Sequence, residues 1–234
     1  MIQRQMKVGL VLLATVIVVS NGWSQADRAR GFASRMIGDT GKYISIVLLL
    51  DQETSAKVDA LCQKEGEAYM AKMQEIMQGA SDNREAGLAK MQEEREKYVE
   101  RIKTGLAGIL SEEQIKSIEP ILNGRVPSSY RAVEEGGRNA LLWVLPSLGL
   151  TPEQREKMVK VTVPYACGIH PFISRSPRQQ SLTDEDKKKI AELTDTFVKE
   201  AGAILTAEQK EKWQTEADKL REQWQKEREE RRNR

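Results

Sequence analysis

Histidine is almost missing from this chain: His170 is the only one in 234 residues. That argues against catalytic or metal chemistry built on imidazoles, since a zinc site usually takes four ligands. Cysteine occurs twice, at Cys62 and Cys167, too few for a dense disulfide framework. Cys167-Gly168-Ile169-His170 brings a thiol and an imidazole close together. No third orienting group or oxyanion element accompanies them, so a nucleophile pair is not supported. Aromatic residues make up 5% and charged residues 31%, which suits slender solvated helices better than a thick core. Charge of one sign is missing too. The net +2 comes from Arg4 and Lys7, and the remainder balances, so nothing favours nucleic acid as a partner. Gly38-Asp39-Thr40-Gly41-Lys42 has neither the spacing nor the hydroxyl residue of a phosphate loop. No paired acid and base stands out, and the expectation is a non-enzymatic protein without a cofactor.

What is present begins with an export signal over residues 1–26. Arg4 and Lys7 form its basic start, Val8 to Val19 its apolar run, and Ser24-Gln25-Ala26 a small-x-small cleavage site. The run is short of the roughly 20 residues that span a bilayer. Cleavage after about Ala26 predicts an exported, periplasmic chain whose only membrane contact is the signal before cleavage. Residues 27–49 read as a poorly ordered or short helical lead-in. Their apolar end, Tyr43 to Leu50, fits strand or buried helix by pattern, and helix is chosen because a cap follows.

The rest of the chain repeats one phrase. Leu150-Thr151-Pro152-Glu153-Gln154 and Leu205-Thr206-Ala207-Glu208-Gln209 are its clearest copies, with Leu110-Ser111-Glu112-Glu113-Gln114 a looser one. Leu50-Asp51 and Leu182-Thr183 keep its first half. Each is a helix start. The short polar side chain caps N–H groups that the first turn leaves unpaired, and Gln three residues on can reach back to the cap. Between the starts, apolar residues recur at helical spacing: Val58, Leu61, Cys62, Tyr69, Met73, Ile76 and Met77, then Leu88, Met91, Tyr98, Ile102, Leu106 and Ile109. Ser81 or Asp82 would cap the second of these helices, about 40 Å long. Two long helices joined by a short turn must be antiparallel neighbours.

A third helix runs from Ser111 through Ile115, Ile118 and Ile121, shortened or kinked at Pro120. Residues 123–149 read as a connector. A helix from Thr151 stops near Pro164, followed by an irregular stretch to 181. Thr183 or Asp184 then opens a helix along Ile190, Leu193, Phe197, Ala201 and Ile204. Thr206 opens the last, with Trp213, Ala217, Leu220 and Trp224. The charged tail, 226–234, reads as a solvated helix end.

The phrases at Leu110 and Leu205 lie 95 residues apart. Each is preceded by another start, 60 residues earlier at Leu50 and 55 earlier at Leu150. The expected fold is therefore all-α: two tandem helical-hairpin units, 50–122 and 150–225.

With the export signal, these phrases resemble the LTxxQ motif of the Spy/CpxP-like family of periplasmic proteins. Leu150, Thr151 and Gln154 match it, as do Leu205, Thr206 and Gln209. Leu110, Ser111 and Gln114 match with Ser for Thr. Leu50 departs further, with Asp51 for Thr and Thr54 where Gln belongs. The resemblance implies a bent helical assembly, often a homodimer with a concave surface, acting as an ATP-independent chaperone or in envelope-stress and metal responses.

The residues agree with a binding role for unfolded or misfolded envelope proteins. Thin helical layers leave part of their apolar stripe open, and methionines adapt to varied partners. The candidate client surface is Tyr69, Met70, Met73, Met77, Met91 and Tyr98. The alternatives are a metal-responsive protein for zinc or copper and a structural protein with one dedicated partner. Thioethers can hold copper(I), but core or groove packing is the commoner use of four helical Met. The Trp residues after the signal read as core. An even cysteine count in an exported chain points to a Cys62–Cys167 bond between the units, with free or intermolecular thiols as the rival.

Overall fold

The computed structural model describes residues 40–79, 84–123, 140–173 and 182–232. Residues 1–26, read above as an export signal, residues 27–39 of the lead-in, the expected cap at Ser81 or Asp82, residues 124–139 of the connector and 174–181 lie outside the described residues. Among those described, all regular structure is helical, and no helix is long and apolar enough to cross a membrane.

The ambiguous apolar run is helical. Helix α1 covers residues 40–47, of which only Lys42 is exposed, the mark of a helix that is buried on almost every side. Tyr43, Ile44 and Val47 are fully buried, and Leu48 and Leu49 nearly so. This lead-in is therefore central rather than peripheral. It lies against α2 (Gln52–Gly79), where a side chain at Gly41 would come within 2.8 Å of the Asp59 Cα. On its other side Thr162 Oγ1 donates to the Val47 carbonyl at 2.6 Å. Leu49 ends α1 at φ +46°, a left-handed conformation that costs a residue with a Cβ about 1–2 kcal/mol. The turn is closed by Leu50 N–H donating to Ser45 O at 2.9 Å.

Helix α3 (Arg84–Leu106) runs back along α2. Tyr69 meets Tyr98, their ring centroids 4.8 Å apart, and Arg101 Nε donates to Glu65 at 2.8 Å. Rising numbers on one helix pair with falling numbers on the other, so the two are antiparallel as expected. The third helix divides into α4 (Glu112–Ser117) and α5 (Glu119–Asn123). The break falls at Ile118, just before Pro120, which cannot donate to the ladder.

Two boundaries differ from expectation. The described end of the connector is α6 (Ala140–Val144), followed by a 3-10 turn, Leu145–Leu148. Leu141, Leu142, Val144, Leu145 and Leu148 are buried, and Gly149 at φ +63° closes the turn. A stretch of five apolar residues is too short to show a period, so its helicity was hidden. Helix α7 (Pro152–Ile173) also passes straight through Pro164 and Pro171. Both prolines face outward, while Tyr165, Ala166, Ile169 and His170 are buried. A proline inside a helix costs about 3 kcal/mol. Burying four side chains beyond it outweighs that, at about 1.5–3 kcal/mol for each large apolar one.

Helix α8 (Asp184–Ile204) packs antiparallel on α7, and α9 (Ala207–Arg232) closes the second half over α6. Tyr165 stacks on Phe197 at 4.3 Å, and Phe197 meets Trp213 edge-on at 5.8 Å. Trp213 Nε1 donates to Leu141 O at 2.6 Å, and Trp143 meets Trp224 edge-on. Trp213 and Trp224 are core residues, as their spacing suggested, and Trp143 packs half-buried against that core.

Candidate functional site

The four repeated starts with a hydroxyl residue are reciprocal caps. Ser111, Thr151 and Thr206 each accept from the backbone N–H of Gln114, Gln154 and Gln209, at 3.2, 3.1 and 3.2 Å. The three Gln Oε1 atoms accept in return from the cap N–H groups, at 2.9–3.0 Å. Thr183 does the same with Asp186. Asp51 is the variant. Its carboxylate accepts from both the N–H and the hydroxyl of Thr54, each at 2.8 Å. Those bonds, the backbone N–H first, hold its pKa below the usual range. Leu110 and Leu205 are buried, and Leu50 and Leu150 half-buried, so the leucine anchors each start to the core.

Tertiary structure adds a contact between starts. Gln154 Nε2 donates to Gln209 Oε1 at 2.8 Å, and Gln209 Nε2 to Gln154 Oε1 at 3.2 Å. Their remaining hydrogens reach Ile204 O and Leu148 O. The beginnings of α7 and α9 are thus locked through a pair of fully used amides. Gln154→Ala and Gln209→Ala should each cost about 1–2 kcal/mol, and the double variant less than their sum by about 1 kcal/mol. Urea unfolding of the four proteins measures this, and strict additivity would refute the pairing.

The first half has no such pair, because Thr54 occupies the place that Gln154 holds in the second. Gln114 caps Ser111, but its Nε2 meets no acceptor among the described residues. Gln114 lines a groove of about 920 Å³ between the end of α1, the start of α2, α4 and α7. Its walls are Leu48 to Asp51, Gln114, Ser117, Leu150, Arg155, Val159, Lys160, Val163 and Pro164. Arg155 Nη1 crosses between the halves to donate to Leu49 O at 3.0 Å. Pro164 removes the N–H that would bond Lys160 O. The sequence signal for this groove is Pro164, which predicts a helix end by its local cost and instead lies inside α7.

The expected client surface is only partly open. Tyr98 is buried and Tyr69 half-buried against it. Met70, Met73 and Met91 are half-buried, Met77 is 62% exposed, and Leu88 on the other helix is 57% exposed. In α2 the buried residues are Val58, Cys62 and Gly66. Beyond Gly66 no residue of α2 is buried, and past the Tyr69–Tyr98 contact the α2–α3 pair forms an arm whose apolar stripe stays partly open.

The expected disulfide is absent: both cysteines are free. Helix α1 packs between α2, which carries Cys62, and α7, which carries Cys167. Cys62 is sealed in, and burial pushes its thiol up to about 12. Cys167 Sγ donates to Ser117 O at 3.4 Å. The link between halves is thus made by hydrogen bonds from α7 to α1 and α4. Among the described residues no group of three or more His, Cys, Asp or Glu side chains could hold a metal ion.

No family model, curated protein or solved structure matches this chain.

Proposed function

We propose that this chain is an exported, ATP-independent chaperone-like protein of the Spy/CpxP kind, acting on unfolded or misfolded envelope proteins. Its architecture under this proposal is a pair of duplicated hairpin units, 50–122 and 150–225, each opened by LTxxQ-type caps. The observation that carries the proposal is the unclosed stripe of the α2–α3 arm. Met70, Met73 and Met91 are half-buried there, and Met77 and Leu88 lie open. Two helices alone cannot cover their apolar faces, and a contiguous open apolar strip is a binding surface. Unbranched methionines let it fit many sequences without a fixed register. Flanking charges such as the Lys72–Glu75 and Lys97–Glu93 pairs keep the strip solvated, so clients would be held weakly and released without nucleotide.

The test is suppression of aggregation of several reduced or heat-unfolded clients by the protein, with no nucleotide present. Met77→Glu with Leu88→Glu should at least halve the protection while leaving the melting temperature within about 2 °C, because exposed substitutions change stability by about 0.5 kcal/mol or less. No protection by the unaltered chain at stoichiometric excess would sink the proposal.

A further inference from the structure

We infer that α1 is a displaceable plug: it fills a cleft between α2 and α7 that, when α1 leaves, takes an apolar helical segment of another polypeptide in its place. The inference rests on the client-binding role proposed above for the source of that segment. It adds a site separate from the arm, together with the element that closes it.

What α1 touches defines the seat. Burial first, then Tyr165 and Cys167 of α7 nearby, push the pKa of the Tyr43 hydroxyl up. Val47 O accepts from Thr162, and Leu49 O from Arg155. Rising numbers on α1 meet falling numbers on α7, so α1 runs antiparallel along it. On the α2 side, Gly41 comes so close that a Cβ there would lie 2.8 Å from the Asp59 Cα. Between these walls Tyr43, Ile44 and Val47 are fully covered. The cleft therefore already holds an occupant, and that occupant shows what fits: aromatic and branched aliphatic side chains, with glycine where the seat is tightest.

Three features make α1 a poor permanent resident. Thr40 Oγ1 and Ser45 Oγ have no hydrogen-bond partner, although the two residues are only 4% and 8% exposed. A buried hydroxyl left unpaired loses its bonds to water and gains none, so both favour the released state. Leu49, between α1 and α2, is held at φ +46°, a strain that release relaxes. Eight residues are also too few for a helix to persist alone in water. Undocked α1 would unfold, which makes its docking a local and reversible folding step. Burial of Tyr43, Ile44, Val47 and Leu48 opposes all three. A segment that brings the same apolar side chains without the two hydroxyls would be favoured over α1.

The test uses the full chain and two readouts. By amide hydrogen exchange, Ile44 to Leu48 should exchange at least tenfold faster than Val58 to Cys62 of α2 and Val159 to Thr162 of α7. The second readout is fluorescence anisotropy of a labelled peptide of residues 40–50 that carries Thr40→Val, Ser45→Ala and a lysine tail for solubility. In the protein, Gly41→Ala favours the helix but not its seat, because the Asp59 Cα belongs to the backbone and cannot turn aside. It should speed exchange in α1 and bind the peptide about tenfold tighter than the unaltered chain. Ser45→Ala removes an unpaired hydroxyl. It should raise the melting temperature, slow exchange in α1 and weaken the peptide about fivefold, since the open form becomes rarer. A more stable protein that binds worse is not what a general loosening produces. Where Gly41→Ala fails to fold, Ser45→Ala and the exchange rates of the unaltered chain still decide. Equal protection of α1 and its two walls overturns the inference, as does a peptide that binds none of the proteins or all of them alike. Peptide binding that falls with Met77→Glu and Leu88→Glu overturns it too, because the peptide then sits on the arm. If aggregation is still suppressed after any of these, the arm proposal stands by itself. Peptide binding as expected without suppression removes the arm proposal and leaves the plug.

Discussion

Phe197→Ala should be the most damaging single truncation, costing about 3–5 kcal/mol. Phe197 is 1% exposed and sits in the middle of a three-ring column. It stacks on Tyr165 of α7 with planes 12° apart and presents an edge contact to Trp213 of α9 at 84°. Each aromatic pair is worth about 0.5–1.5 kcal/mol beyond the area it buries, and truncation removes both while leaving a cavity. For a chain of this size each kcal/mol shifts the melting temperature by about 2–4 °C, so a fall of about 10 °C is expected in a thermal melt followed by circular dichroism. Val198, the next residue, is 38% exposed. Val198→Ala should change the melting temperature by about 2 °C at most. Equal effects at the two sites would mean that the column does not tie α7, α8 and α9 together.

Acid should weaken the fold through His170, by up to about 3 kcal/mol. His170 is buried on α7, and neither ring nitrogen has a hydrogen-bond partner among the described residues. Burial disfavours the charged ring and lowers its pKa from 6.5 to about 4. The unfolded chain therefore takes up a proton near pH 6.5 that the folded chain refuses until about pH 4. The contribution is complete above pH 6.5, shrinks as pH falls, and levels off below about pH 4. Urea unfolding at pH 7.5 and pH 4.5 measures it. His170→Leu has no such proton and should lose at least 2 kcal/mol less stability between the two values, the carboxylates contributing equally to both proteins. Parallel losses in the two proteins would show that the imidazole is not sealed from water.

Helix identity was legible where a cap and a period coincided. Thr151, Thr183, Thr206 and Ser111 are local devices, since a side chain and the N–H three residues on decide them. The stripe from Tyr98 to Leu106 and that from Ile190 to Ala201 were legible for the same reason: burial on one face repeats every three or four residues. Short runs were not. Tyr43 to Leu50 and Ala140 to Leu145 are apolar without a period, and only their neighbours make them helices. Pro164 misled because its penalty is local while the burial that overcomes it is not. The cysteine count suggested a bond, but pairing depends on distance, and α1 occupies the space between the two helices that bear the thiols.

The sequence by itself determined that this is a chain of capped, amphipathic helices, because hydrogen bonds and apolar spacing within a few residues decide such elements. Tertiary structure decided which starts meet. Gln154 and Gln209 close on one another, while Gln114 is left facing a groove. Those outcomes depend on residues 50 or more positions apart coming within hydrogen-bond distance, 3.1 and 2.8 Å, and no local pattern encodes such an approach.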